Sequence, residues 1–348
     1  MTNPPATDLR DERPTTDQVQ TPLLRIRDLR ITFDTPAGPL RAVDGVDLDL
    51  YPGTTLGIVG ESGSGKSILA RAAMGLLPRS ARYGPHTVIE FDGRQLYPDP
   101  PKDLSDLWGD EMSLIFQDPM TSLTPVMTVG GQLVETLRRH LPISRAEARR
   151  RAVELLTRVG IPDPEARMRT YPHRMSGGMR QRVMIALSIA CDPRLLLADE
   201  PTTALDVTVQ RQILDLLADL QTRLGTAMVL VTHDLGVVAG RADRIAVMYA
   251  GRIVETGPTR ALFRELAHPY TAALLDSIPR LEDPSGTRIK TIGGMPPRVV
   301  GTPRGCAFAP RCPRAAERCR TETPALTPVT PSSDHAVACH FPLTGEQR

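Results

Sequence analysis

Apolar and polar positions alternate from Leu24 to Phe33, and a second such run covers Ala42 to Leu50 beyond the turn residues Pro36-Ala37-Gly38-Pro39. A period of two predicts two strands paired across that turn, each with one face toward a core. Thr54-Thr55-Leu56-Gly57-Ile58-Val59 is a short β-prone run, and Ile68 to Leu77 is compatible with a helix. Val88 to Gly93 reads as a strand and turn, and Met112 to Phe116 as a buried strand that delivers Gln117 at its end. From Thr128 to Ala190 the period lengthens to that of helices. Ser144-Arg145-Ala146-Glu147 is a capping box opening a helix to about Val159, with Gly160 as its stop. Leu155, Leu156 and Val159 fall on one face of it, and Arg145, Arg149, Arg150 and Arg151 form a solvated cluster toward its start. Another helix, long and apolar, runs from Met175-Ser176-Gly177-Gly178 to Ala190. Leu195 to Ala198 is a buried strand ending in Asp199-Glu200-Pro201. Thr203-Ala204-Leu205-Asp206 leads into a helix that stops at Leu224-Gly225. Ala227 to Val231 is a strand with Thr232-His233-Asp234 at its end, and Arg244 to Glu255 folds as a hairpin around Ala250-Gly251.

Between the first two short apolar segments lies Gly60-Glu61-Ser62-Gly63-Ser64-Gly65-Lys66-Ser67, which fits G-x-x-x-x-G-K-[ST] at every fixed position and has the strand before and helix after that this pattern requires. Glycines let the backbone curl until several N–H groups point at phosphate oxygens, and the following helix adds its positive N-terminal end. Lys66 supplies a mobile charge for β- and γ-phosphates, and Ser67 a hydroxyl for Mg²⁺. Lys66 is one of three lysines in a chain whose cations are otherwise arginines, as suits a compact ammonium. The expected fold is therefore α/β: a P-loop NTPase core with an antiparallel β subdomain, an inserted helical subdomain at about 118–190, and a proline-rich C-terminal extension.

Other residues change the picture in proportion to their surroundings. Gln117 at a strand end can offer its carbonyl oxygen to a metal or its water, and Asp199 at the end of a central strand suits Mg²⁺. Glu200 can activate water for attack on a γ-phosphate. His233 can hydrogen-bond that phosphate, and Phe33 can stack on a base or simply pack in the core. Ser176, Gly177 and Gly178 make an anion site or a plain helix cap.

Charge and composition bound the partners. A net charge of +2 and 4% aromatic residues argue against a nucleic-acid surface. No apolar run approaches the roughly 18 residues of a membrane span. Residues 1–22 are polar, carry prolines and read as a disordered tail without the apolar centre of a signal peptide, which places the protein in the cytoplasm with reduced cysteines.

The order P-loop, Gln117, Ser176-Gly177-Gly178, Asp199-Glu200, Asp206, His233 resembles the nucleotide-binding subunit of ATP-binding cassette (ABC) transporters over roughly Leu23 to Phe263. Gln117-Asp118-Pro119-Met120-Thr121-Ser122-Leu123, the run Ser176 to Ala186, and His268-Pro269-Tyr270-Thr271 look like its peptide/nickel import branch. Met175 departs from the Leu of the general signature and Thr124 from the branch's Asn. The resemblance implies domains at 23–265 and 266–348, and an ATPase that powers import of di- or oligopeptides. The alternatives are import of nickel or another small solute, and a soluble cassette acting on ribosomes or nucleic acid. Two cassettes would sandwich two ATP molecules head to tail, as a homo- or heterodimer on the cytoplasmic face of the membrane. They would join two permease subunits and, indirectly, an extracytoplasmic binding protein, with no nucleic-acid partner. Gly60 to Ser67 would hold the phosphates; Ser67, Gln117 and Asp199 would hold Mg²⁺. Glu200 would be the base, His233 the γ-phosphate contact and Phe33 the adenine stack. Ser176 and Gly178 would reach the partner's ATP, and Asp206 would link the two sites.

Cys306, Cys312, Cys319 and Cys339 lie in a segment that holds eleven prolines between Pro279 and Pro342, with only Cys191 elsewhere. Their spacing is not a C-x-x-C zinc pattern, and His335 and His340 are possible further ligands. The tail Gly305 to Pro313 resembles that of peptide-import ATPases, which implies an iron–sulfur cluster (4Fe-4S); zinc, free thiols or a disulfide are the alternatives.

Overall fold

The structure, a computed structural model, describes residues 21–98, 104–118, 122–203, 205–278, 292–297, 299–301 and 304–343. The expected N-terminal tail lies outside them except for its last two residues, as do Pro119, Met120, Thr121 and Ala204.

Two sheets carry the fold. The first is antiparallel: β1 (Leu24–Thr35) pairs with β2 (Gly38–Leu50), with β4 (Ala81–Tyr83) and with β5 (Val88–Phe91), and β6 (Arg94–Tyr97) closes the edge. The hairpin turn is tighter than expected. Thr35 sits opposite Gly38, whose φ of 111° no β-branched residue would tolerate, so only Pro36 and Ala37 are left between the strands. The second sheet has a parallel centre in the order β10 (Arg244–Tyr249), β3 (Thr55–Val59), β9 (Ala227–Thr232), β8 (Leu195–Asp199), β7 (Met112–Ile115). β3, β8 and β9 are buried along their whole length, as continuous apolar runs in a parallel sheet should be. This brings the C-terminal ends of β3, β7, β8 and β9 to one edge, where Gly60, Gln117, Glu200 and His233 emerge.

The first helix runs Lys66–Ala73 rather than Ile68–Leu77. It starts earlier because Gly65 caps it in a left-handed conformation, and ends earlier because Gly75 turns left-handed and Pro78 follows. The helical block comprises Val129–His140, Arg145–Arg158, Pro164–Arg167 and Gly177–Ser188. Ser144 Oγ accepts from the Glu147 N–H at 3.1 Å, Gly160 ends that helix at φ 71°, and Leu155, Leu156 and Val159 are buried as the pattern required.

The described segments beyond 266 pack against the core. β11 (Arg252–Pro258) turns back from β10 and takes β13 (Ala336–Val337) on its far edge, which in turn pairs with β12 (Thr327–Pro328). Glu255 of β11 is fully buried and accepts hydrogen bonds from the Ala267 and His268 N–H groups at 2.7 and 3.0 Å; His335 Nε2 lies 2.8 Å from it. His335 is therefore committed to this carboxylate and does not join the cysteines. Phe308, also buried, packs against Tyr249 and Tyr270 with ring centroids 5.3 and 5.4 Å apart.

A second buried carboxylate ties the two sheets together. Asp44 of β2 is 2% exposed and accepts from Arg30 at 2.6 Å, Arg41 at 3.1 Å and Arg252 at 2.6 and 2.9 Å. Burial alone would raise its pKa, but Arg252's hydrogen bonds and the charges of Arg252, Arg30 and Arg41 outweigh it and leave the carboxyl below its ordinary value. A depressed carboxyl stabilises the fold above its unfolded pKa of about 4 and loses that contribution as pH falls through the folded value. Asp44→Asn should cost about 2 kcal/mol at pH 7 in urea unfolding, discounted for the partly exposed arginines. The gap to wild type should shrink as pH is lowered below about 4; a gap independent of pH would mean that packing, not charge, is at stake.

Candidate functional site

Gly60 and Gly65 are required by close approach. A Cβ at Gly60 would meet the Met248 carbonyl oxygen at 2.1 Å, and one at Gly65 would meet the Ala42 carbonyl oxygen at 2.3 Å. The loop between them therefore curls against β10 and β2 and opens onto a cavity of about 580 Å³. Phe33, Ser62, Gly63, Gly65, Lys66, Ser67, Gln117 and Glu200 line it, so four separated stretches of sequence meet in one place. Ser64 Oγ is buried beside the loop without a hydrogen-bond partner.

Lys66 is 4% exposed, and its Nζ donates to the carbonyl oxygens of Gly60 and Glu61 at 2.7 and 3.0 Å. Glu200 Oε1 stands 3.7 Å away. Ser67 Oγ donates to Asp199 Oδ1 at 2.7 Å, so the hydroxyl and carboxylate expected at a magnesium ion already face each other. Glu200 follows β8 with φ 46°, a strained position for a residue with a side chain. Its Oε2 accepts from Gln117 Nε2 at 3.1 Å and from Thr203 Oγ1 at 3.0 Å, and His233 Nδ1 lies 3.6 Å from it.

Ser176, Gly177, Gly178 and Asp206 are not brought to this cavity. Ser176 and Asp206 are exposed helix caps, accepting from the Met179 and Val209 N–H groups at 3.3 and 3.0 Å. Beside Asp206, Val207 is 82% exposed.

Some of the cavity's wall gave no warning in the sequence. Pro297 and Val299 of the proline-rich tail line it beside β2, and their segment is pinned there: the Arg41 N–H donates to the Val299 carbonyl at 2.9 Å and Arg41 Nε to that of Gly301 at 2.7 Å. Ala250 and Gly251, seen only as a hairpin turn, complete the rim.

The four tail cysteines are free thiols lining one small space of about 10 Å³, together with His340, whose Nε2 lies 2.9 Å from the Glu322 carbonyl. Burial pushes the Cys306 and Cys312 thiols up, and Cys339 up to about 11. Among the described residues no group of three or more His, Cys, Asp or Glu is arranged to hold a metal ion, so the expected ligand set is convergent in place without being a formed site. Nor is any helix among them long and apolar enough to cross a membrane.

Comparison with known proteins gives two family matches: the ABC transporter model over residues 43–203, and the oligopeptide/dipeptide transporter C-terminal region over 254–319. The chain is 51% identical over 302 residues to the oligopeptide transport ATP-binding protein OppD of Salmonella typhimurium, covering 87% of this chain and 89% of that one. It is 47% identical to the dipeptide transport ATP-binding protein DppD of Escherichia coli, covering 92% and 97%. Among solved structures it is similar to a dimeric ATP-binding cassette in a post-hydrolysis state bound to ADP and Pi, at TM-score 0.61 and 27% identity over 68% of this chain and 99% of that one.

The electrostatics of the cavity yield a test. The neighbouring His233 ring holds Glu200 down to about 2, helped by Thr203 and Lys66 against burial, and Glu200 in turn raises His233. Burial lowers Lys66, opposed by the Glu200 and Asp199 charges, and raises Asp199, opposed first by the Ser67 hydroxyl and then by Arg71 and Lys66. A raised histidine contributes stability below about 6.5 that is lost as pH rises through its folded pKa; a depressed glutamate contributes above about 4.5 what is lost toward pH 2. In nucleotide-free protein, the His233 ring should titrate above 6.5 by ¹H–¹³C NMR, and Glu200→Gln should bring it back toward that value. An unchanged midpoint in the variant would show that the two side chains do not interact in solution.

Proposed function

Because the chain belongs to the ATP-binding proteins of ABC transporters and carries the C-terminal region of their oligopeptide/dipeptide branch, we propose that it hydrolyses ATP to drive peptide import across the cytoplasmic membrane. The observation that supports this most directly is the single cavity in which the phosphate loop, Gln117 and Glu200 meet, with Asp199 against Ser67 at its floor. On this reading the backbone of Gly60 to Ser67 and the Lys66 ammonium hold the triphosphate, and Phe33 stacks on the base. Ser67, Gln117 and Asp199 would hold Mg²⁺, which when bound would supply positive charge against the phosphates.

Glu200 is the general base that takes a proton from the attacking water, and His233 contacts the γ-phosphate. A carboxyl held near 2 is a weak base, but Lys66 and His233, which hold it down, are the groups a triphosphate would claim. Phosphate oxygens drawing Lys66 and His233 away leave Glu200 beside negative charge, which raises its proton affinity toward the range a base needs.

The cap residues Ser176, Gly177, Gly178 and Asp206 lie outside the chain's own cavity, and this reading gives them to the ATP of a second cassette, identical or related. Two permease subunits receive the resulting motion through Gln117 and the helical subdomain, and the chain sits peripherally on their cytoplasmic side.

Cys306, Cys312, Cys319 and Cys339 share one small space and would hold an iron–sulfur cluster or zinc with a structural rather than catalytic part. Burial raises the Cys306, Cys312 and Cys339 thiols, and thiolate ligation displaces protons, so uptake would release protons and weaken at low pH. Anaerobic purification with iron, sulfide and zinc analysis tests this, and a colourless, metal-free folded protein would end it.

Glu200→Gln should bind ATP with affinity near wild type and hydrolyse it at least about 10²-fold more slowly. Wild-type turnover would remove Glu200 from the base role. Pull-down of the tagged chain from detergent-solubilised membranes should bring two multi-span permeases; recovery only with ribosomes or nucleic acid would overturn the transport reading.

A further inference from the structure

The second residue of the phosphate loop is acidic, and the structure shows how that is tolerated. Glu61 belongs to the loop whose neighbours Ser62 and Gly63 line the nucleotide cavity, yet its own side chain is not part of the lining. Its carboxylate is turned away into a bidentate pair with Arg311, with Nη1 to Oε2 at 2.6 Å and Nη2 to Oε1 at 2.9 Å. Arg311 lies 250 residues along the chain, in the short turn Ala309–Arg311 between Cys306 and Cys312. Its side chain is 5% exposed, and its remaining donors are used: Nε to the Gly293 carbonyl at 2.8 Å, Nη1 to Tyr249 Oη at 3.2 Å and Nη2 to the Ile292 carbonyl at 3.2 Å. The guanidinium is thus fixed before Glu61 meets it, which is the condition for a strong fork-to-fork pair. The backbone of Glu61 is held from the same side, its N–H donating to Tyr270 Oη at 2.8 Å.

We propose that Arg311 is a positioning residue for nucleotide binding, holding the Glu61 carboxylate away from the triphosphate and cancelling its charge. This rests on the reading of the loop as the triphosphate site. Lys66 Nζ already donates to the Glu61 carbonyl at 3.0 Å, so a carboxylate released from Arg311 belongs to the residue nearest the ammonium along the loop. There it would both compete for the ammonium and repel the phosphates. Glu61 itself needs no role in chemistry for this to matter; the clamp removes a liability of the loop's sequence.

The test is a double-mutant cycle on the full chain, read as equilibrium binding of a fluorescent ATP analogue and, separately, of the corresponding AMP analogue. Arg311→Gln should weaken ATP binding about tenfold or more, because a partly buried carboxylate is left unpaired near the phosphates. Arg311→Lys should weaken it less. Measured from Glu61→Gln as its own reference, whatever that change costs by itself, adding Arg311→Gln should alter ATP affinity by less than about threefold. The AMP analogue, lacking the β- and γ-phosphates, should hardly distinguish the variants. Equal loss from Arg311→Gln in both Glu61 backgrounds, or equal loss for ATP and AMP, would overturn the proposal and leave Arg311 an anchor of the tail. Wild-type protein that fails to bind the ATP analogue would instead overturn the triphosphate reading itself, and the proposal with it.

Discussion

An ammonium buried to 4% exposure at the end of the central strand sets the terms for everything around it. Lys66 has to be charged to serve a phosphate, and burial works against the charge. The fold answers with partners that can be given up. Two loop carbonyls accept from the ammonium, Glu200 faces it at 3.7 Å, and His233 and Gln117 gather behind Glu200. None of these contacts is so closed that an incoming anion could not replace it. The same need explains why Glu61 is treated differently: a carboxylate free to follow Lys66 would be a partner that does not let go.

Much of this was legible along the chain. Period-two runs, apolar strands and the capping box fell where the elements are, because local propensity and burial agree there. The phosphate loop, Gln117, Asp199, Glu200 and His233 were legible because each sits at the end of a parallel strand, a position that topology converts into proximity. The boundaries that shifted did so at glycines: Gly38 shortened the hairpin turn, and Gly65 and Gly75 moved both ends of the first helix.

The tail was the illegible part. Prolines suppress periodicity, so nothing in the pattern could place Val299 beside β2 or Arg311 against Glu61. Their contacts span about 250 residues and depend on a fold already made. Arginine being the ordinary cation of this chain, Arg311 carried no mark of its own; its one hint was a place between two cysteines. His335 was misjudged for the opposite reason. It has a metal ligand's chemistry, but Glu255, fully buried on β11, had the stronger need of a partner.

Three carboxylates, Asp44, Glu61 and Glu255, hold partners 208, 250 and 80 residues away along the chain, and two of them bind the C-terminal region to the cassette. That region supplies part of the nucleotide cavity's wall at Pro297 and Val299 and begins, as a family unit, inside strand β11. The consequence is a limit on modularity. A gene that lost this tail would not simply shed an accessory; it would open one wall of the cavity, unpair a loop carboxylate and strip the edge of the main sheet in one event. Recombination between cassettes of different branches therefore has no clean seam here, and tail and nucleotide site must change in step, each accepted substitution in one narrowing what the other can become.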